Sequence, residues 1–130
     1  MSASNRSNRP LSPHLQVYRL YHTMLASGIH RISGFAMTFS AIVLVWWFIA
    51  GATSPEYFAF VDGLVTSWIG HLALIATLYA LCHHFLNGVR HLIWDTGKLF
   101  EVEEIDKSAW VVLLGAPALT VLILLIVVLS

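Results

Sequence analysis

Apolar residues run almost unbroken along three stretches of the chain, Ile32 to Ala52, Trp68 to Trp94 and Ala109 to Leu129, with polar side chains gathered outside them. Each stretch reaches the roughly 20 residues needed to cross ~30 Å of hydrocarbon at ~1.5 Å per residue. A backbone at that depth has no water to bond, and three such segments cannot close a barrel, so each is expected to be a helix. The pattern therefore predicts an all-α integral membrane protein with transmembrane helices at about residues 23–52, 68–94 and 109–129. No internal repeat or low-complexity segment is visible, and residues 1–130 are expected to form one domain.

Composition supports the same class. Of 130 residues 58% are hydrophobic and 11% charged, with a mean hydropathy of +0.76, a balance that water would solvate poorly in a domain of this size. Basic and acidic residues number seven each, so net charge argues for no nucleic acid or strongly acidic partner. Their positions say more than their sum. Arg6, Arg9, Arg19 and Arg31 precede or open the first span, and Arg90, Lys98 and Lys107 lie at or between the second and third. Thr53 to Ser67 carries Glu56 and Asp62 but no Lys or Arg, which predicts a cytoplasmic N-terminal segment (1–22), a cytoplasmic second connection and an outer C-terminus. Met1 to Tyr21 lacks the apolar core of a secretory signal, and early membrane entry suits a bacterial inner-membrane protein. Trp46, Trp47, Trp68, Trp94 and Trp110 fall near span ends, where an aromatic belt would sit. The acidic run Glu101, Glu103, Glu104 and Asp106 reads as a solvated loop, and Cys82 as a small apolar filler. The third span carries no ionisable side chain from Ala109 onward and reads as structural, with Pro117 a place for a kink.

Chemistry is concentrated in the other two spans. His71, His83, His84, Asn87, Arg90, His91 and Asp95 on one membrane helix are expensive to place in lipid, which points to a functional site. His71 lies near the outer rim, whereas His84 lies ~24 Å along the helix from Trp68, inside the hydrocarbon. Gly88, His91 and Asp95 follow His84 at i+4, i+7 and i+11 and share its face. A haem needs one neutral imidazole for its iron, small residues that let the macrocycle approach, and cationic groups near its propionates; His84, Gly88 and the Arg90/His91 pair have that order. The same spacing suits a histidine that merely bonds a neighbouring helix, and His83, about 100° around the helix, is a competing ligand. A six-coordinate haem would take its second axial ligand from another chain, which implies a bundle shared with a partner membrane subunit. At the mouth of span one, Ser27, His30, Arg31 and Gly34 share another face; they could polarise a quinone carbonyl, or simply mark the membrane boundary. A proton-conducting or transport module using His84, His91 and Asp95 is the rival reading, although three spans without a broken-helix pair are few for transport.

Arg9-Pro10, then Ser27-x-x-His30-Arg31-x-Ser33, then His84-x-x-x-Gly88-Val89-Arg90-His91-Leu92-x-Trp94-Asp95-x-Gly97, resemble the cytochrome b556 subunits of succinate dehydrogenase, from Arg9 through Gly97. The resemblance implies the membrane anchor of respiratory complex II, in the tricarboxylic acid cycle. Such a chain, with a second membrane-anchor subunit, would hold flavoprotein and iron–sulfur subunits at the cytoplasmic face and pass electrons from succinate to ubiquinone. It would carry no FAD or dicarboxylate site. Carried over residue by residue, it implies His84 as axial ligand of haem b, His30, Arg31 and His91 near the propionates, and Ser27 and Arg31 in the quinone site. Fumarate reductase anchors share this general architecture.

Overall fold

The computed structural model describes residues 19–130; Arg6 and the Arg9-Pro10 pair lie outside the described residues. Among the described residues four helices follow one another: α1 (His22–Thr53), α2 (Pro55–Val65), α3 (Trp68–Asp95) and α4 (Val102–Leu129). Three of them, α1, α3 and α4, are long and apolar enough to cross a membrane. With 32, 28 and 28 residues they measure roughly 48, 42 and 42 Å, longer than ~30 Å of hydrocarbon. The all-helical, three-span architecture read from the hydropathy pattern is the one observed.

The three long helices pack mutually, α1 on α3, α3 on α4 and α1 on α4. The buried apolar side chains are mostly small: Ala26, Ala50, Ala80, Ala109 and Ala116 are each no more than 5% exposed. Large apolar side chains such as Phe35, Phe39, Leu125 and Val128 point outward. This inversion of a soluble protein follows from the solvent: lipid covers Phe and Leu as well as another helix would, so close approach of backbones decides what goes inside.

The segment between the first two spans, read above as a connection, contains a helix. Ser54 caps α2 by accepting from the Tyr57 amide at 3.2 Å, Pro55 stands in its first turn, and Glu56 follows. Its own backbone N–H and the Ser54 hydroxyl hold the Glu56 carboxyl below the usual carboxylate range. Two tryptophans tie α2 to α1: the Trp46 indole donates to the Tyr57 hydroxyl at 2.7 Å and that of Trp47 to Asp62 at 3.0 Å. These residues do more than mark an interface, because an indole N–H beside lipid needs an acceptor. A second departure lies before the third span. The acidic run is not a loop: Glu101 is the N-cap of α4, Glu103 and Glu104 occupy its first turn, and Asp106 follows. Negative charge there meets the positive end of the helix dipole, which favours an early helix start. Further along, α4 continues through Pro117 without interruption.

The α3–α4 turn depends on left-handed backbone at Gly97 (φ 79°) and Leu99 (φ 62°), and the Trp94 indole closes it by donating to the Leu99 carbonyl at 3.1 Å. The α2–α3 turn depends on Gly70 instead. A Cβ there would fall on the Val65 carbonyl and lie 2.6 Å from that of Leu64, whereas Gly63 is open to a radius of 4 Å. Gly70→Ala is therefore expected to destabilise the fold by about 3 kcal/mol through overpacking against backbone. Gly63→Ala, inside α2, is expected to be neutral or mildly stabilising. Thermal unfolding of the two detergent-solubilised variants checks the contrast, and equal midpoints would refute the packing account.

Candidate functional site

At one end of the bundle, α1 and α3 bring the polar residues together. Arg90, 3% exposed, sits at its centre. Its guanidinium donates to Ser108 Oγ at 2.8 Å and the Ile105 carbonyl at 3.0 Å on α4, to Thr23 Oγ1 at 3.0 Å on α1, and to Asn87 Oδ1 at 3.4 Å on its own helix. Trp94 covers it, with the ring centroid 4.1 Å from Cζ. Arg90 thus faces the interior and ties the three long helices, which corrects the expectation that it stands with His91 as a cationic group for haem propionates. One residue of helix is 100°, enough to turn Arg90 inward and leave His91 outside.

The two adjacent histidines divide in the same way. His83 is fully buried, and its Nε2 lies 3.1 Å from the Ala26 carbonyl. A carbonyl can only accept, so His83 carries its proton at Nε2 and acts as an interhelical donor. His84, about 100° further around the helix, is partly exposed, with Nδ1 3.1 Å from Ser33 Oγ. The Ser33 hydroxyl also donates to the His30 carbonyl at 2.7 Å. A hydroxyl has a single proton, so toward His84 it can only accept; His84 therefore holds its proton at Nδ1 and a bare lone pair at Nε2. No hydrogen bond engages that Nε2 among the described residues.

Around His84 the surface is lined by imidazoles and open backbone. The His30 ring stacks on it with centroids 4.0 Å apart and planes 20° from parallel, and His91 lies 5.6 Å beyond His30. His30 Nε2 is buried with no hydrogen-bond partner. Gly34 supports the His84 ring from below, where a Cβ would stand 3.4 Å from Cε1, while at Gly88 nothing lies within 4 Å of an added Cβ. Arg31 is exposed and Ser27 half-buried on the adjoining turns of α1. Hence His30, His84 and His91 converge, with Ser27 and Arg31 beside them. Asp95 is exposed at the last residue of α3, and His91 meets Trp94 edge-on at 5.0 Å.

Two parts of this site had no role in the sequence reading. Ser33 stood in the motif without a function; its position three residues after His30 is the spacing at which a serine bonds back to a helical carbonyl. His22 pairs with Asp106 at 3.0 Å and its ring lies 4.3 Å from that of Trp110, joining the starts of α1 and α4. No local pattern could reveal that contact between residues 84 apart.

Fold and site together define a multi-pass helical membrane subunit whose polar chemistry is gathered at one end. Over residues 5–124 the chain matches the family described as succinate dehydrogenase/fumarate reductase transmembrane subunit. It is 43% identical over 126 residues to the succinate dehydrogenase cytochrome b556 subunit of Paracoccus denitrificans, covering 97% of each chain. It is 33% identical over 117 residues to the subunit of that name from Rickettsia felis, covering 90% of this chain and 91% of the relative. To the succinate dehydrogenase cytochrome b560 subunit of Marchantia polymorpha it is 36% identical over 121 residues, covering 88% of each. The chain belongs to the succinate dehydrogenase/fumarate reductase transmembrane-subunit family.

Proposed function

We propose that the chain is the haem b-carrying membrane anchor of a succinate:ubiquinone oxidoreductase in a bacterial inner membrane, with its N-terminus in the cytoplasm. It joins a second membrane-anchor subunit and holds the iron–sulfur and flavoprotein subunits at the cytoplasmic face. The observation that carries the reading is the His84 ring, whose Nδ1 is occupied by Ser33 and whose Nε2 lone pair stays uncommitted beside open backbone at Gly88. A neutral imidazole fixed at one nitrogen and free at the other is what an axial iron ligand requires.

The residues present fit the cofactor in two further respects. Gly88 leaves room for a flat ring to approach α3, and the orphaned His30 Nε2, with His91 and Arg31 near it, offers donors for propionates. When bound, the haem supplies a one-electron carrier between the iron–sulfur subunit and the membrane. Ser27 and Arg31 act on the quinone itself: the hydroxyl donates to one carbonyl oxygen, and the guanidinium stabilises the negative charge that builds there as electrons arrive. Arg31 sits where α1 enters the membrane, so it serves a head group at the hydrocarbon edge. The succinate dehydrogenase names of the relatives favour succinate oxidation over fumarate reduction.

In the purified complex, His84→Leu is expected to abolish or severely perturb the reduced-minus-oxidised b-type spectrum, whereas His83→Leu is expected to retain axial ligation. Loss with His83 alone, or equally with both, would show that the ligand was assigned to the wrong face.

Ser27→Ala, in a complex shown to be assembled by haem content and retained peripheral subunits, is expected to lower succinate–ubiquinone activity by about 10²-fold, as loss of a donor to a charge-developing oxygen does. Succinate oxidation by an acceptor that takes electrons before the quinone should persist. Unchanged quinone turnover and affinity would reduce Ser27 to a packing residue.

Orientation is tested by single cysteines at Gly63 and Lys98, since Cys82 is only 3% exposed. An impermeant thiol reagent should reach the first from outside and the second from the cytoplasm. The reverse pattern would invert the quinone site.

A further inference from the structure

We propose that Ser33 is a positioning residue for the haem ligand, fixing the His84 proton at Nδ1 and so presenting the Nε2 lone pair to iron. The inference rests on the assignment of His84 as ligand and explains how a membrane interior prepares that residue. Ser33 is 3% exposed, so no bulk water competes for its hydroxyl. Its only proton goes to the His30 carbonyl at 2.7 Å, which leaves an oxygen able to accept and unable to donate toward His84 Nδ1 at 3.1 Å. The opposite tautomer would set two lone pairs against each other at that distance. The His30 carbonyl therefore dictates the sense of the whole chain, from the α1 backbone through one hydroxyl to the α3 imidazole.

Geometry reinforces the direction. His30 stacks on the His84 ring with planes 20° apart, and α1 passes so close at Gly34, next to Ser33, that an added Cβ would stand 3.4 Å from Cε1, so the ring is flanked on the side of its Ser33 bond. The neighbouring His83 provides a contrast on the same helix: its Nε2 proton is held by the Ala26 carbonyl, which removes the nitrogen that His84 leaves free. Two adjacent histidines thus carry opposite tautomers, each set by an oxygen of α1.

The arrangement has an electronic consequence. An Nδ1–H that donates to a fixed acceptor makes the opposite nitrogen more basic, and a more basic axial nitrogen favours oxidised iron. Ser33 is thereby expected to lower the haem reduction potential as well as to orient the ligand.

The test uses the assembled complex with Ser33→Ala and Ser33→Thr, read by potentiometry of haem b and by the g values of its low-spin signal. Ser33→Ala is expected to keep haem, shift its potential to a more positive value and alter the g values; Ser33→Thr, which retains a hydroxyl, is expected to stay near the unmodified enzyme. Haem loss in Ser33→Ala with retention in Ser33→Thr would equally support the hydroxyl's role. An unchanged or more negative potential in Ser33→Ala would overturn the proposal, as would equal shifts or equal haem loss in both variants, since side-chain volume would then be decisive. Survival of the low-spin signal in His84→Leu would instead overturn the ligand assignment, which separates the two failures.

Discussion

A guanidinium inside a membrane bundle must be surrounded by acceptors, and the burial of Arg90 imposes that demand on every long helix of this protein. A buried guanidinium left without hydrogen-bond partners is costly, so its partners have to come from within the bundle. Thr23, Asn87, Ile105 and Ser108 supply them, and in doing so they bring α1, α3 and α4 together at one level. The α4 contribution requires that helix to extend well before its apolar stretch, because Ile105 and Ser108 precede Ala109. The early start of α4 and the His22–Asp106 pair belong with this same junction.

With α1 and α3 fixed in this way, the histidines sort by direction. His83 enters the closed interior and bonds backbone; His84 emerges beside Ser33, His30 and Gly34. The site is therefore built on rigid elements, with the protons of His83 and His84 assigned by oxygens on the neighbouring helix. An imidazole held this way would need little reorganisation to meet a metal, which is the usual merit of a hydrogen-bonded partner behind a coordinating histidine. On the haem-anchor reading proposed above, the open surface around it is the side on which a further membrane subunit would complete the site.

The spans, their order and the polar faces of α1 and α3 were all legible along the chain. Hydropathy over 20 or more residues has few other solutions in lipid, and 100° per residue places Ser27, His30, Arg31 and Gly34 on one face without reference to anything else. Less legible were α2, whose 11 residues are too few to register as a span, and the helical start of α4, which acidic residues disguise as a loop. The Trp46–Tyr57 and Trp47–Asp62 bonds were hidden for a related reason: a tryptophan near a span end satisfies the belt pattern whether or not its indole is bonded.

By itself the sequence determined the solvent, the number of crossings and which residue types had to share a helical face, because those follow from local hydropathy and a fixed helical period. It left open whether His83 or His84 faces the interior, whether Arg90 meets a ligand or the protein, and which nitrogen of these two imidazoles holds a proton. Only the tertiary structure decided these, since each depends on which oxygen of α1 or α4 stands opposite a given turn of α3, and helix rotation and register are set by packing between elements distant in the chain.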